Sequence, residues 1–407
     1  MKRWIAIIPA LAMLLALTGC GNKPKDLTVG NDPGGYVIAA PKVTTADYQA
    51  VADNLRSISI GGACTAHTWK TDAGSKAEVR NLDFFYSRIP AFAYYFDVDG
   101  CYRSWNFSLP TADCQTYADI MENGLSKETM DLVASLPYDV FNEKGLYAEV
   151  NIRSIEYDLT TFEHRWTSEA GSNPGAEKTR HIAVFGREIG NNCATVAEAI
   201  EYARSINWVL NADCPYFLAW YVNDGESSAL FELVDDQLCI TENAVTNSNY
   251  FVAEPYASEA LFDMGSARTA YVEDNIPDGT GFDAGVDAML RMYYSQIYSA
   301  DSCFDCMSEF EGEVYDCDGD GTVDTLICKD NRDAADVPAH LEAIEGIRER
   351  FAARTNGERM DFALNWHTVY STAVDWSDPN VIRIQFMEDP AMTYDFNVSN
   401  GRFKRVG

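Results

Sequence analysis

Cys64 has the sequence context of a cysteine that could become the first residue of a processed chain. It follows Gly61-Gly62-Ala63, a run of small residues at which a chain can be cut. Cleavage between Ala63 and Cys64 would place a thiol nucleophile and an α-amino base on one residue. The α-amino group has a reference pKa of about 8, so it can accept a proton at neutral pH. Taken alone, Cys64 is more simply interpreted as a buried structural cysteine ahead of a strand.

The first twenty residues have the pattern of a targeting segment. Lys2 and Arg3 precede an apolar run over 5–17 that is too short to span a bilayer as a mature helix. Leu17-Thr18-Gly19-Cys20 resembles the lipobox of bacterial lipoproteins, in which the cysteine is lipidated after cleavage. An ordinary signal peptide with an incidental cysteine is the alternative. We expect an exported lipoprotein at the cell surface or in the periplasm, which a cut before Cys64 could release from its lipid anchor.

Composition agrees with an exported globular protein. The 407 residues are 47% hydrophobic and 12% aromatic, enough for a sizeable core. The formal net charge of −31 argues against nucleic acid and anionic membrane surfaces as partners, because both repel an acidic protein. The membrane is therefore expected as a partner only through the lipid on Cys20.

The cysteine count indicates disulfide bonds. Of 11 cysteines, nine remain after Cys20 and Cys64 are set aside, and an exported chain lies in an oxidising compartment. Local spacing favours four bridges and a free Cys239 in a buried strand. The bridges are Cys101–Cys114, Cys193–Cys214 and two among Cys303, Cys306, Cys317 and Cys328. The five histidines are scattered, and we interpret each as structural.

Hydrophobic spacing divides the chain into a leader and one α+β domain. We interpret 21–63 as a linker or propeptide with a short helix over 45–58, and 64–407 as the catalytic domain. Asn223-Asp224-Gly225-Glu226 indicates a hairpin between two strands. The predicted strands are 64–69, 91–97, 146–155, 216–222, 229–234, 368–373 and 381–387, and the predicted helices are 127–135, 195–205 and a region from 334 to 354.

A segment at about 301–330 has the character of an insert. It holds four cysteines and an acidic run with carboxylates at alternating positions around a glycine turn, an oxygen cage that suits Ca²⁺. The predicted ligands of this structural ion are Asp316, Asp318, Asp320, Thr322 through its carbonyl, and Asp324. The twelfth loop position is Ile327 and not the glutamate of a full EF-hand. A solvated acidic loop held by disulfides is the alternative.

Several motifs in order resemble the choloylglycine hydrolase family, which includes bile salt hydrolases and penicillin V acylases and is related to the acid ceramidase and N-acylethanolamine amidase group. The first is Cys64-Thr65 followed by Arg80-Asn81-Leu82-Asp83. In the motif that begins at Val245, Asn249 departs from the family pattern, because the family has a proline at that position. The later motifs are Asn142-Glu143-Lys144-Gly145-Leu146 with Glu149-Val150-Asn151, Asn192-Cys193-Ala194-Thr195-Val196, Asp224-Gly225-Glu226-Ser227, Val245-Thr246-Asn247-Ser248, Gly265-Ser266-Ala267-Arg268 and Thr368-Val369-Tyr370-Ser371.

The resemblance implies a fold and a reaction. The fold is the four-layer αββα N-terminal nucleophile sandwich, with mostly antiparallel sheets. The reaction is hydrolysis of a small-molecule linear N-acyl amide through a thioester on Cys64, with no cofactor for catalysis.

The same resemblance assigns roles to five further residues. Arg80 would stabilise the thiolate, and Asp83 would orient the α-amino group. Asn151 and Asn247 would donate to the oxyanion, and Arg268 would support the site.

The acyl group and the class of function stay open at this point. Bile salts, penicillin V, acyl-homoserine lactones and fatty-acyl amides are all candidate substrates, because specificity lies in loops. An acyltransferase of the penicillin-biosynthetic type would share the nucleophile. A non-catalytic calcium-binding surface lipoprotein on the same scaffold is a further alternative, against which the presence of Cys64, Arg80 and Asp83 argues.

Overall fold

A computed structural model describes fourteen stretches of the chain, and elements are numbered here along the sequence. The described residues are 37–55, 63–85, 91–108, 115, 117–153, 168–210, 217–254, 257, 266–291, 293–294, 313–315, 325–328, 366–386 and 393–406. The predicted signal segment with Cys20, the five predicted calcium ligands and the predicted helical region 334–354 lie outside them. Within the described part, none of the helices is long and apolar enough to cross a membrane.

Two large sheets form the body of the protein. The eight-stranded sheet is antiparallel except for its first pair, β1–β4, and has the order β1 (Val37–Ala39), β4 (Ala91–Phe96), β5 (Ser104–Ser108), β6 (Asp139–Asn142), β7 (Tyr147–Arg153), β10 (Phe217–Asn223), β11 (Ser228–Val234) and β12 (Gln237–Glu242). The seven-stranded sheet is antiparallel and has the order β13 (Thr246–Asn247), β2 (Ala63–Lys70), β3 (Lys76–Phe85), β17 (Trp366–Asp375), β18 (Val381–Phe386), β19 (Thr393–Asn397) and β20 (Arg402–Arg405).

The remaining described elements are two small sheets and a set of helices. Two small sheets contain β8 (Thr179–His181) with β9 (Asn207–Val209), and β14 (Tyr293–Tyr294) with β15 (Glu313–Tyr315) and β16 (Thr325–Cys328). The helices are α1 (Tyr48–Asn54), α2 (Tyr117–Asn123), α3 (Lys127–Ser135), α4 (Phe185–Asn192), α5 (Val196–Arg204), α6 (Ser266–Asn275) and α7 (Phe282–Arg291).

The sheets face each other, and helices cover their outer faces. On β10, Tyr221 points inward and its hydroxyl lies 2.9 Å from Thr68 Oγ1 on β2, while Trp220 points outward against Phe185 of α4. On the other sheet, Trp69 packs outward in a cluster with Tyr271 of α6 and Met289 of α7. The α+β fold with four αββα layers and mostly antiparallel sheets is therefore confirmed.

Local sequence explains where the predicted elements begin and end. Ser126 accepts from Thr129 N–H at 3.1 Å and begins α3, and Thr195 accepts from Glu198 N–H at 3.2 Å and begins α5. Gly225 adopts φ +84° in the predicted hairpin turn, and a Cβ there would lie 2.4 Å from the Trp376 ring.

The segment before Cys64 is part of the fold. β1 pairs with β4 through Val37–Ala91 to Ala39–Ala93, inside the stretch that the sequence predicts to be a tether. The predicted helix is present as α1, where Tyr48 is 3% exposed and its hydroxyl accepts from Asn191 Nδ2 at 3.0 Å. The folded domain therefore includes elements that precede residue 63.

Three described cysteines bear on the predicted disulfide pattern. Cys101 and Cys193 carry free thiols in the structure. Their predicted partners Cys114 and Cys214 lie outside the described part, so the two bridges stay predictions. Cys193 is buried as a small apolar group at the C-terminal end of α4. Cys239 is free as predicted, but it is half-buried, because β12 is the edge strand of its sheet.

Candidate active site

Cys64 lies on the inner face of β2 with the Ala63–Cys64 peptide uncut. Its register partner on β3 is Leu82, and two residues on, Ala66 pairs with Arg80. Because side chains alternate along a strand, Cys64 and Arg80 share the face that looks toward the eight-stranded sheet. Cys64 is 1% exposed, so its thiol is closed off from solvent in the uncut chain.

The Cys64 thiol contacts a guanidinium. Arg80 Nη2 donates to Cys64 Sγ at 3.3 Å. Burial raises the pKa of Cys64 to about 12, Arg80 lowers it, and the carboxylates of Asp83 and Glu149 raise it further. The sulfur therefore retains its proton at neutral pH in the uncut chain.

Arg80 is held by groups of the opposite sheet. Its Nη1 donates to Asp139 Oδ2 at 2.5 Å, its Nη2 donates to Val150 O at 2.6 Å, and its Nε forms an ion pair with Glu149 Oε2. Burial alone would lower the pKa of Arg80, but Asp139 and Glu149 hold it well above the ordinary value. Arg80 is thus a permanent cation fixed beside the sulfur.

A second chain of contacts ends at the main-chain nitrogen of Cys64. The Cys64 N–H donates to Asn249 Oδ1 at 2.9 Å, and Arg268 Nη2 donates to the same oxygen at 2.5 Å. Arg268 Nη1 donates to Asp83 Oδ2 at 3.2 Å. After cleavage this nitrogen would be the α-amino group, so Asn249 contacts the predicted base, and Arg268 and Asp83 hold Asn249 from behind.

The two predicted oxyanion donors contact each other. Asn151 Nδ2 donates to Asn247 O at 3.1 Å, and Asn247 Nδ2 donates to Glu149 Oε1 at 2.8 Å. Arg153 Nη2 donates to Asn247 Oδ1 at 2.7 Å and fixes the orientation of that amide. Each Nδ2 has a second N–H besides the one used here, which is the group that an oxyanion would need.

All six predicted catalytic residues belong to one buried network. Cys64 contacts Arg80, the chain Asn249–Arg268–Asp83 holds the Cys64 nitrogen, and Glu149 links Arg80 to Asn247 and through it to Asn151. The structure thus brings these residues together; the role of each stays a prediction.

Sequence reasoning missed four residues of this network: Asp139, Glu149, Arg153 and Asn249. A signal for two of them was present on β7, where Tyr147, Glu149, Asn151 and Arg153 alternate with Ala148, Val150 and Ile152. Polar residues at every second position of a strand whose two faces are both buried indicate a polar interior layer. Asn249 was visible only as a departure from the family motif.

Comparisons with known proteins give no match by sequence and distant matches by structure. No protein-family model and no curated protein matches the chain. A variant of the conjugated bile acid hydrolase from Clostridium perfringens is 12% identical over 84% of this chain and 96% of its own, with a TM-score of 0.39. Penicillin V acylase from Agrobacterium tumefaciens is 12% identical over 84% of this chain and 90% of its own, with a TM-score of 0.40.

Proposed function

We propose that the protein is an exported cysteine N-terminal nucleophile amidohydrolase that cleaves linear N-acyl amides. The observation that carries this proposal is the contact of Arg80 Nη2 with Cys64 Sγ at 3.3 Å, inside a site that also holds the Cys64 nitrogen through Asn249. Acyl transfer to sulfur requires a thiol, a base and a nearby cation. Cys64 would supply the thiol and the amine, and Arg80 supplies the cation.

Cleavage of the Ala63–Cys64 peptide would convert the sealed residue into a nucleophile. The new α-amino group accepts the thiol proton, and Sγ attacks the substrate carbonyl carbon. The carbonyl oxygen becomes an oxyanion that the free N–H groups of Asn247 and Asn151 stabilise. As the C–N bond breaks, the α-ammonium returns its proton to the leaving nitrogen, and an acyl thioester remains on Cys64.

Water completes the turnover. The α-amino group accepts a proton from water, and the hydroxyl attacks the thioester carbonyl carbon. The C–S bond breaks, the carboxylic acid leaves, and the sulfur regains its proton. Net consumption is one amide and one water, and the products are one acid and one amine. Arg80 favours the thiolate in both steps, because an adjacent cation stabilises a sulfur anion.

N-terminal sequencing combined with activity measurements tests this function. We expect the active protein to begin at Cys64, and to release amine from at least one member of a panel of bile-acid, phenoxyacetyl and long-chain acyl amides. Cys64→Ser should lower turnover by roughly 10³-fold or more with the fold intact, because an α-amine activates a hydroxyl poorly. Active protein with an N-terminus elsewhere, or a fully active Cys64→Ser variant, would refute the mechanism.

A further inference from the structure

Glu149 is a buried carboxylate in contact with two residues of the proposed machinery. It is fully enclosed between the sheets on the inner face of β7. Its Oε2 forms an ion pair with Arg80 Nε, without the alignment of a hydrogen bond. Its Oε1 accepts from Asn247 Nδ2 at 2.8 Å. One side chain therefore touches both the cation beside the sulfur and an amide that would face the oxyanion.

The other partners of these two residues each reach only one of them. Asp139 binds Arg80 and also accepts from the Tyr147 and Tyr370 hydroxyls. Arg153 binds Asn247 and is paired with Glu232. Asp139 thus fixes the cation alone, and Arg153 fixes the amide alone. Among the residues that the structure describes, Glu149 is the side chain in contact with both the cation and the amide.

We propose that Glu149 is a positioning residue, whose carboxylate couples the placement of Arg80 beside Cys64 to the placement of the Asn247 amide. This inference rests on the proposed function, because it assigns Asn247 to the oxyanion. The ionised carboxylate holds both groups. Its negative charge also acts against the thiolate, so its charge state has opposite effects on sulfur acidity and on the geometry of the site.

Burial places the pKa of Glu149 near neutral pH. Burial raises the pKa of Glu149 to about 7, and the pairing with Arg80 opposes that rise. The titratable and charged groups around it are Arg80 and Glu78 on β3, Cys64 on β2, Asp139 on β6, Tyr147 and Arg153 on β7, and Tyr221 on β10.

Glu149→Gln separates positioning from general structural support. The variant retains an acceptor for Asn247 and loses the charge that holds Arg80. In the mature protein we expect kcat to fall about tenfold or more with a smaller change in KM, because the oxyanion exists only in the transition state. Alkylation of Cys64 by iodoacetamide should instead become at least about threefold faster at pH 7, with its pH midpoint shifted downward. Slower hydrolysis together with a more acidic thiol is a pattern that a merely structural role does not produce.

Glu78→Gln is the matched control. Glu78 is equally buried on β3 of the opposite sheet, and its side-chain hydrogen bonds are to Thr68 and Asn223 and not to Arg80 or Asn247. Its alkylation midpoint and kcat should stay near the wild-type values. A Glu149→Gln variant that matches Glu78→Gln in both readouts, or that slows hydrolysis with no downward shift of the alkylation midpoint, overturns the proposal.

Two further measurements keep the result interpretable. If Glu149→Gln does not fold, Glu149→Asp provides the test, because aspartate keeps the charge on a shorter side chain. We expect Glu149→Asp to have a wild-type alkylation midpoint and a lowered kcat. A wild-type kcat in this variant overturns the proposal. Alkylation needs no substrate. A wild-type protein that hydrolyses no N-acyl amide would therefore refute the proposed function, while the alkylation contrast would still judge Glu149.

Discussion

The guanidinium of Arg80 contacts four groups at once, which no other cationic side chain could do. Its guanidinium reaches Cys64 Sγ, Asp139, Glu149 and Val150 O from one side chain. A lysine ammonium is a point charge and cannot contact all four at once. The substitution would leave a buried carboxylate without its partner, which is among the most costly changes in a protein interior.

We therefore expect Arg80→Lys to lower both stability and turnover. The free energy of unfolding should fall by about 3 kcal/mol or more, and kcat by about 10²-fold. Arg383→Lys is the control, because Arg383 pairs with Asp283 and Asp395 near the surface, where exchange costs about 1 kcal/mol or less. Urea unfolding and steady-state kinetics measure the two effects, and equal losses in both variants would contradict the assigned role of Arg80.

Glu149 also makes stability depend on pH in a defined direction. Burial raises its pKa in the folded chain from 4.5 to about 7. Between those values the folded state binds more protons than the unfolded state, so the contribution of Glu149 to stability is present below pH 4.5 and is lost as pH rises through 7.

The stability difference between wild type and Glu149→Gln should accordingly change with pH. Relative to the variant, wild-type protein should lose stability from about pH 4.5 to about pH 7 in urea titrations. Glu226→Gln, at the exposed hairpin turn, should show no such trend. A difference that stays constant over this range would show that the folded-state pKa of Glu149 is not raised.

Among the elements, the segment before Cys64 has the largest consequence for the proposed processing. β1 pairs with β4, and α1 buries Tyr48 and Ala52 in the core clusters of the same domain. Arg187 lies 5.7 Å from the centre of the Tyr48 ring and adds a cation–π contact. A cut at Ala63–Cys64 removes none of these contacts.

We expect this segment to remain bound after cleavage. Native chromatography should give one species, and denaturing electrophoresis should separate the leader fragment from the chain that begins at Cys64. Tyr48→Ala should weaken the association by about 3 kcal/mol, because it removes a buried aromatic side chain, whereas exposed Asn54→Ala should not. Free leader fragment in wild-type native samples would contradict this expectation. If the leader stays bound, a lipid on Cys20 would keep the processed protein at the membrane.

At the scale of the whole molecule, the acidic run of the predicted insert is expected to bind a structural Ca²⁺ ion. Its predicted ligands Asp316, Asp318, Asp320, Thr322 and Asp324 lie between β15 and β16 in sequence and outside the described residues. Several carboxylates this close repel one another unless a cation is bound.

Chelation should therefore destabilise the protein without disabling Cys64. We expect a chelator to lower Tm and to increase protease cleavage within 301–330, and added Ca²⁺ to reverse both effects. The alkylation rate of Cys64 should stay within about twofold, because the predicted ligands belong to a separate insert. Unchanged Tm and unchanged cleavage would identify the run as a solvated acidic loop.

Local patterns in the sequence determined much of the fold and named the six site residues. Hydrophobic spacing predicted the strands that contain Cys64 and Asn151, and it placed α3 and α5 within a residue or two of their ends. The Cys64 context and the order of the motifs predicted the nucleophile and its helpers. These signals are readable because a strand or a helix start is specified by neighbours in the chain.

Tertiary structure alone decided which polar groups meet. Asn249 accepts from the Cys64 nitrogen across 185 residues, and Glu149 lies against Arg80 from the opposite sheet. Arg268 of α6 donates to Asp83 of β3, and the predicted linker supplies β1. Contacts between two packed sheets depend on strand order and register, which are set by the burial of both inner faces together. No local window of the sequence carries that information.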